Sequence, residues 1–234
     1  MSLTKSHGNM YPWVTHMHSH LAGACPHKCR YCYVQAHERR WKTGRYAGPL
    51  RLVDSEFEVK YGKGKTIFVE HMNDLLANGV PDEWIADIIR HCMEWPENTY
   101  VFQSKNPMRF IDFLWPDNAI LGTTIETNRV IPGMSDAPVP AERYRAMRAV
   151  RLLPDKHRTF VTIEPVLDFD VDILAKWIAE IRPDFLNLGA DSKGNGLPEP
   201  MVEKILTLTE VLRRSGIELR EKHNLERLVR RQQS

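Results

Sequence analysis

Residues 119–126, AILGTTIE, and residues 159–166, TFVTIEPV, are two short runs of apolar and β-branched residues that each lead into a glutamate. Similar runs occur in TIFVEHM (66–72), TYVFQSK (99–105) and DFLNLGAD (184–191). Their apolar residues are continuous rather than alternating, which is typical of strands buried on both faces of a parallel sheet. The sequence therefore predicts five buried parallel strands.

Amphipathic helical patterns separate these runs, with apolar residues three and four positions apart. PDEWIADIIRHCMEW has Pro81 and two acidic residues at its start, as helix N-termini favour. NPMRFIDFLW, PAERYRAMRAVRLL and DVDILAKWIAEIR follow the same spacing, and PEPMVEKILTLTEVLRRSG ends at Gly216, a favourable C-cap. This alternation of strand and helix predicts an α/β fold with a parallel sheet, arranged as a barrel or as an open doubly wound sheet.

Composition and charge are those of an ordinary globular protein. Of the 234 residues, 26% are charged and 42% are apolar, which predicts one domain over residues 1–234. A net charge of +2 gives no strong field toward nucleic acid or membrane. No apolar stretch is long enough to span a bilayer, and the first residues lack the apolar segment of a signal peptide. We therefore expect a cytoplasmic protein with reduced thiols and no membrane partner.

Polar residues follow the apolar part of each predicted strand. The carboxyl ends of parallel strands meet at one face of an α/β fold, where active sites form. Strands that simply end in solvent also finish in polar residues, but the repetition along the chain favours a lined cavity. The residues expected to converge there are Glu70, His71, Asn73, Asp74, Ser104, Lys105, Thr124, Glu126, Asn128, Glu164, Asp191 and Lys193.

Three of the four cysteines lie within CPHKCRYC (25–32). Closed zinc sites usually take four ligands, often from two CxxC pairs, and a disulfide is not expected in a reducing compartment. Cys92 lies in an apolar helical stretch and is predicted to be a buried core residue. Three thiolates in one short loop suit a [4Fe–4S] cluster in which one iron has no protein ligand. A metal-sensing or nucleic-acid-binding module that holds zinc or a structural cluster remains an alternative.

CPHKCRYC resembles the CxxxCxφC motif of the radical S-adenosylmethionine (SAM) superfamily, with Tyr31 at the aromatic position. EHMNDLL, QSKNP, GTTIETN and IEPVLDF further resemble a compact, phage-associated branch of that superfamily. The resemblance covers most of the chain. It implies a partial (βα)6 TIM-like barrel of parallel strands, with the active site at their C-terminal ends.

The resemblance also implies the cofactors and the residues that hold them. Cys25, Cys29 and Cys32 would ligate three irons of the cluster, and the amino and carboxylate groups of SAM would chelate the fourth. An external low-potential electron donor would then drive cleavage of SAM to methionine and a 5′-deoxyadenosyl radical, which takes a hydrogen atom from the substrate. The residues expected on the SAM side are Tyr31, Met72, Asn73, Asp74, Ser104, Thr124, Glu126 and Asn128.

One motif of the superfamily is altered in this chain. The Gly-Gly-Glu turn that holds the SAM amino group is replaced by His71, Met72 and Asn73. The backbone carbonyls can still serve that group, but the carboxylate is absent unless Asp74 or Glu70 substitutes for it.

His16, His18 and His20 occupy alternate positions in THMHSH, so in a strand they would share one face. We expect that face to lie along the approach to the cluster, with at least one histidine on the substrate side, although each histidine alone is more typical of a packed, hydrogen-bonded or surface side chain. The central residue, His18, is the predicted substrate-side histidine. It completes a predicted catalytic set with Lys105, Glu164 and Asp191.

Basic residues gather in YVQAHERRWKTGRY (33–46) and in a predicted C-terminal strand and helix over 216–234. The first stretch places Arg39, Arg40, Lys42 and Arg45 near the cluster, which favours a nucleic-acid base or nucleotide as substrate.

The phage resemblance extends this expectation to hypermodification of thymidine in DNA, by isomerisation of an amino-acid adduct. Transferase and lyase chemistry remain alternatives to an isomerase or mutase, and an amino acid, peptide or small metabolite remains an alternative substrate.

Overall fold

Ten strands and six α-helices are found in residues 3–230, the part of the chain that the structure, a computed structural model, describes. The strands are β1 (Thr4–Lys5), β2 (His16–His18), β3 (Leu21–Ala22), β4 (Arg51–Leu52), β5 (Thr66–Val69), β6 (Thr99–Gln103), β7 (Ala119–Thr124), β8 (Arg158–Ile163), β9 (Phe185–Leu188) and β10 (Glu218–Glu221). The α-helices are α1 (Tyr33–Trp41), α2 (Asp82–Met93), α3 (Pro140–Val150), α4 (Val171–Ile181), α5 (Val202–Arg214) and α6 (Glu226–Arg230). The predicted C-terminal strand and helix correspond to β10 and α6, and residues 231–234 of that stretch lie outside the described residues. None of the helices within 3–230 is long and apolar enough to cross a membrane.

Eight of the strands form one open sheet in the order β1-β2-β5-β6-β7-β8-β9-β10. β1 runs antiparallel to β2, and every other neighbouring pair in this sheet is parallel. β3 and β4 pair separately as an antiparallel ribbon. The α/β class and the partial barrel are confirmed. Within the described range, β10 adds a seventh parallel strand to the six that the resemblance implied.

The stretch NPMRFIDFLW, which its apolar spacing predicts as a helix, forms only a short 3-10 helix over Pro107–Asp112. Phe110 is fully buried, and the indole N–H of Trp115 donates to its carbonyl oxygen. Pro116 follows at once and cannot continue a helix. The segment is therefore a tightly packed connection between β6 and β7.

Successive side chains of each strand point to opposite faces of the sheet, so they pack into two separate cores. Ile67 and Val69 of β5 belong to the larger core, which the helices share. Phe68 belongs to a smaller core inside the barrel, together with Tyr11 and Val14 of the N-terminal segment. This apolar layer fills the barrel below the carboxyl ends of the strands.

Gly122 in the middle of β7 makes room for an aromatic side chain of the inner core. A Cβ atom at this position would lie 2.2 Å from the ring of Phe160. That ring is stacked on Phe185, with centroids 5.3 Å apart and planes 2° from parallel. The glycine is therefore required by packing rather than by backbone conformation.

Gly122→Ala should lower the free energy of unfolding by roughly 1–3 kcal/mol, because the added methyl group overpacks the inner core. Chemical denaturation measures this change. The double variant Gly122→Ala/Phe160→Leu should lose less than the sum of the two single variants, since the smaller side chain vacates the contested space. Strictly additive losses would contradict the steric explanation.

Candidate active site

A cavity of about 810 Å³ opens at the carboxyl ends of the parallel strands. It lies directly above the inner core, and Thr124 and Thr162 form part of the polar layer between the two. The residues singled out from the sequence that line it are His18, Cys25, Cys29, Tyr31, Cys32, Glu70, His71, Met72, Asn73, Asp74, Ser104, Lys105, Thr124, Glu164, Asp191 and Lys193. The structure thus brings most of the expected polar strand ends to one cavity, with Glu126 and Asn128 outside its lining.

The cysteine loop, residues 25–32, lies between β3 and α1 and presents three thiols to this cavity. None of the three is in a disulfide; Cys29 is buried, and Cys25 and Cys32 are half-buried. Burial, with Asp74 nearby, raises the pKa of Cys25 to about 12. Within residues 3–230, no three histidine, cysteine or acidic side chains are arranged to hold a single metal ion. A [4Fe–4S] cluster, in contrast, takes its thiolate ligands on separate irons, and three free thiols of one loop fit that donor set.

Asp74 is the first of two buried carboxylates that fix the cysteine loop. Its Oδ1 accepts hydrogen bonds from Ser104 Oγ (2.6 Å) and Leu76 N (3.1 Å), and its Oδ2 accepts one from Lys105 N (2.7 Å). Oδ2 also lies 3.0 Å from Nε2 of His27, which belongs to the loop. Burial alone would raise the pKa of Asp74, but His27 and these hydrogen bonds lower it. Asp74 therefore ties the loop to the ends of β5 and β6, and both of its oxygens are engaged within the protein.

Glu126 is the second carboxylate, and it acts on the loop through Tyr31. Its Oε1 accepts a 2.6 Å hydrogen bond from the Tyr31 hydroxyl, and its Oε2 lies 2.5 Å from Nη1 of Arg143. Glu126 and Arg143 are both fully buried. Burial would raise the pKa of Glu126, but the charge of Arg143 outweighs that effect and lowers the pKa to about 2.

The loop between β7 and α3 closes over the other side of the cysteine loop. Ser135 Oγ lies 3.2 Å from Cys29 Sγ and donates to the carbonyl of His27 at 3.0 Å. Backbone hydrogen bonds join Arg30 N to Met134 O and Asp136 N to His27 O. The sequence did not predict roles for His27, Ser135 and Arg143. The one available signal was a charged side chain, that of Arg143, within the apolar repeat of α3.

The turn after β5 holds the residues that stand in place of the Gly-Gly-Glu motif implied by the resemblance, and it leaves one acceptor without a partner among residues 3–230. Asn73 Nδ2 donates to the carbonyl of Gly23 at 3.1 Å, whereas Asn73 Oδ1 is buried and makes no hydrogen bond with any residue that the structure describes. Met72 is held through its backbone N–H, which donates to Ser19 Oγ. An unfilled acceptor in a cavity wall suits a cationic donor such as the ammonium group of SAM.

Lys105 and Thr124 are the other cavity residues expected to contact a cofactor or substrate. The ammonium group of Lys105 lies 5.3 Å from the centre of the Tyr31 ring, and it helps to lower the pKa of Glu126. Thr124 Oγ1 accepts a hydrogen bond from Gln103 at 2.8 Å. Both side chains belong to the wall that carries Tyr31.

Glu164 anchors the wall formed by β8 and β10. Its Oε2 accepts from Lys222 Nζ at 2.8 Å, and its Oε1 accepts from the side-chain amides of Asn9 and Asn224. Gly189 lies against this carboxylate, where a Cβ atom would come within 2.9 Å. The three partners were not predicted, because the N-terminal segment and β10 meet here only in the folded chain.

Asp191 and Asn128 both organise loops. Asp191 accepts hydrogen bonds from the backbone of Lys193 and Asn195 and from the Asn195 side chain, so it shapes the loop after β9. Asn128 is hydrogen-bonded to Asp170 through both its amide oxygen and its amide nitrogen. It therefore lies at the start of α4 rather than in the cavity wall.

β2 ends at His18, so the three N-terminal histidines do not all lie on one strand. His16 is half-buried and lies beside Thr15 at the start of the strand. His18 and His20 are buried with their ring centres 4.5 Å apart, and Tyr61 and His91 pack beside them. His18 lines the cavity, and burial lowers its pKa to about 4, so its imidazole is neutral near pH 7.

The basic segment after the cysteine loop is exposed for the most part. Arg39, Arg40 and Lys42 lie at the C-terminal end of α1, and the guanidinium of Arg40 packs over the exposed ring of Trp41 at 5.0 Å. Arg45 differs from them, because it pairs with the buried Glu56 at 2.5 Å.

The fold and the site define a partial α/β barrel with a three-thiol loop at the mouth of a polar cavity. The chain belongs to the family described as "Protein of unknown function (DUF5131)", whose model matches residues 12–180. No curated protein matches the chain in sequence.

Two groups of solved structures share the fold. One is a spore photoproduct lyase variant with bound AdoMet and dinucleoside spore photoproduct, 11% identical with a TM-score of 0.62, covering 92% of this chain and 78% of that one. Another is Streptococcus suis SuiB bound to the precursor peptide SuiA, 9% identical with a TM-score of 0.54, covering 88% of this chain and 48% of that one. SuiB bound to S-adenosylmethionine is also similar, with a TM-score of 0.51, 9% identity, and coverage of 86% of this chain and 48% of that one. At these identities the likeness shows a common fold.

Arg143→Met should destabilise the protein by roughly 3–5 kcal/mol, because it leaves the Glu126 carboxylate buried without its cation. Denaturation at neutral pH measures the loss, and the control Glu126→Gln/Arg143→Met should recover much of it.

A second readout is acid denaturation. The folded pKa of Glu126, about 2, lies below its ordinary value of 4.5, so its contribution is present above pH 4.5 and is lost as the pH falls through 2. The double variant should therefore lose stability less steeply in this window. An unchanged acid profile, or a single variant as stable as the wild type, would contradict the role given to this pair.

Proposed function

We propose that this protein is a radical SAM enzyme whose single domain spans residues 1–234. The observation that carries the proposal is the set of three free thiols in one loop, Cys25, Cys29 and Cys32, all lining the cavity at the carboxyl ends of the strands. They would hold a [4Fe–4S] cluster, and SAM would bind beside it. The shared fold with proteins solved with bound AdoMet or S-adenosylmethionine supports this assignment.

When bound, the cluster and SAM supply the electron and the 5′-deoxyadenosyl radical that takes hydrogen from a substrate. The residues of the chain position these groups. Asp74 and Glu126 hold the cysteine loop through His27 and Tyr31, which makes them positioning residues rather than SAM ligands. Asn73 Oδ1 offers the free acceptor for the SAM ammonium group.

The other residues predicted on the SAM side differ in whether they line the cavity. Tyr31 would flank the adenine of SAM, with Met72, Ser104 and Thr124 in the surrounding wall. Asn128 is engaged with Asp170 and has no place in the proposed SAM site. Lys105, whose ammonium group faces the Tyr31 ring, is available to a negatively charged part of SAM or of the substrate.

For the substrate, we propose a nucleic-acid base or nucleotide. The exposed Arg39, Arg40 and Lys42 can contact phosphates, and the exposed Trp41 can stack on a base. The fold shared with a lyase solved with a dinucleoside photoproduct supports this choice. Together with the phage-type sequence motifs, this proposal extends to isomerisation of an amino-acid adduct on thymidine in DNA. A peptide is the second candidate, because the fold is also shared with SuiB bound to a precursor peptide.

Anaerobic reconstitution with iron and sulfide should yield a brown protein that forms 5′-deoxyadenosine from SAM when reduced. Cys29→Ala should lose both properties. The matched control, Cys92→Ala, should keep both and lose on the order of 1 kcal/mol of stability, because Cys92 is fully buried in α2. A colourless protein with stoichiometric zinc and no SAM cleavage would contradict the proposal. Loss of the cluster in Cys92→Ala would contradict the ligand assignment.

Deuterium tracing separates the substrate classes. The reduced enzyme, given unlabelled DNA and SAM deuterated at the 5′ carbon, should incorporate deuterium into a nucleoside, because in an isomerisation the 5′-deoxyadenosine that has taken a hydrogen atom from the substrate returns a hydrogen or deuterium atom to the product radical. Arg40→Glu should weaken this transfer without changing SAM cleavage in the absence of substrate, because Arg40 lies outside the cavity lining. Label found only in added peptide would favour the second candidate over nucleic acid.

A further inference from the structure

A buried hydrogen-bonded chain of three side chains lies behind the cavity wall, and we call it the Glu70 triad. Glu70 Oε1 is 2.9 Å from His20 Nδ1, and His20 Nε2 is 2.9 Å from His91 Nδ1. His91 Nε2 in turn lies 3.1 Å from the carbonyl oxygen of Val59. Exposure of Glu70, His20 and His91 is 2%, 0% and 3%, so no solvent competes for these contacts.

The Val59 carbonyl determines how many protons the triad must carry. A carbonyl oxygen only accepts, so His91 Nε2 must bear the hydrogen, which leaves Nδ1 of a neutral His91 as an acceptor. A neutral His20 has one N–H and can donate it to His91 or to Glu70, but not to both. With Glu70 ionised and both rings neutral, one of the two 2.9 Å contacts would therefore join two lone pairs. One further proton removes that conflict.

That extra proton is best placed on Glu70. A neutral carboxylic acid beside two neutral imidazoles puts no charge in a buried site, whereas a proton on either ring creates a buried ion pair. Glu70 O–H would donate to His20 Nδ1, while Oε1 and Oε2 accept from the backbone N–H groups of His20 and Leu21. Burial raises the pKa of Glu70 to about 7 and lowers the pKa of His20 to about 3. Both shifts favour the neutral form of the group.

The backbone N–H groups of His20 and Leu21 favour a carboxylate at Glu70, but within residues 3–230 the surroundings of the triad supply no unpaired cation to stabilise it. Arg45 is paired with Glu56, and burial lowers the pKa of both His18 and His71 to about 4, so these rings are neutral. The other titratable groups nearby are Tyr46, Tyr61, Cys92 and Glu94, of which none is a cation.

We propose that the Glu70 triad holds Glu70 as a neutral acid in the cavity wall, where it serves as a proton donor. Glu70 lines the cavity, and His20 and His91 are positioning residues that impose its protonation. In the transfer the Glu70 O–H turns from His20 Nδ1 toward the cavity, its O–H bond breaks, the proton passes to a basic group bound there, and Glu70 becomes a carboxylate. The lone-pair conflict that this leaves in the triad favours return of the proton. The reverse transfer restores it. As a neutral acid, Glu70 does not replace the carboxylate of the altered Gly-Gly-Glu turn.

Infrared difference spectra at about pH 6, above the ordinary pKa of glutamic acid, test the protonation directly. The wild-type protein should show the carbonyl band of a protonated carboxyl group, and Glu70→Gln should lose it. His91→Gln should keep the band, because its amide can donate to Val59 and accept from His20. His91→Leu should lose it, because His20 is then free to donate to an ionised Glu70 while Tyr61 donates to its other nitrogen.

Absence of the band in the folded wild-type protein, or its retention in His91→Leu, would overturn the proposal. These spectra need neither cluster nor SAM, so their outcome is separate from that of the proposed function. The role as a donor does rest on that function, and there Glu70→Gln should lower turnover roughly a hundredfold while SAM affinity stays the same. Wild-type turnover in Glu70→Gln would exclude the donor role even if SAM cleavage itself is confirmed.

Discussion

The buried ion pair between Glu126 and Arg143 determines how the cysteine loop sits over the barrel. Glu126 follows β7, Arg143 projects from α3, and the shared carboxylate also accepts a hydrogen bond from the hydroxyl of Tyr31. A charge pair at this depth is stable only when both partners are present and hydrogen-bonded. It therefore sets the distance between helix, strand and loop, and the position of the three thiols follows from that distance.

Carboxyl groups also fix their surroundings at three further places around the cavity. Asp74 contacts His27 of the cysteine loop, and Glu70 contacts His20. Glu164 accepts hydrogen bonds from Asn9, Lys222 and Asn224. In each case a carboxyl group at the end of a strand is used inside the protein rather than offered to solvent. Below them, the inner aromatic core fills the barrel, so the cavity lies above it at the strand ends.

The sequence predicted the strands and the cysteine loop because both depend on local pattern. Continuous apolar runs become β5 to β9, and the spacing of Cys25, Cys29 and Cys32 within one loop is visible without any tertiary information. The partners of the site residues are a different case. Ser135 meets His27 across 108 residues, and Lys222 meets Asn9 across 213, so no local pattern could indicate these contacts. The alternating histidine pattern predicts a shared face only while the strand continues, and β2 stops at His18, so the position of His20 could not be read from the pattern.

The central claim is that three thiols bind a cluster whose remaining iron is open to SAM. Electron paramagnetic resonance of the reduced, reconstituted protein tests it most directly, with spectra recorded before and after SAM is added. The proposed site predicts the signal of a reduced [4Fe–4S] cluster that changes when SAM binds, and that is absent when Cys25, Cys29 or Cys32 is replaced by alanine. A cluster signal that SAM leaves unchanged, or one that persists without these cysteines, would contradict it.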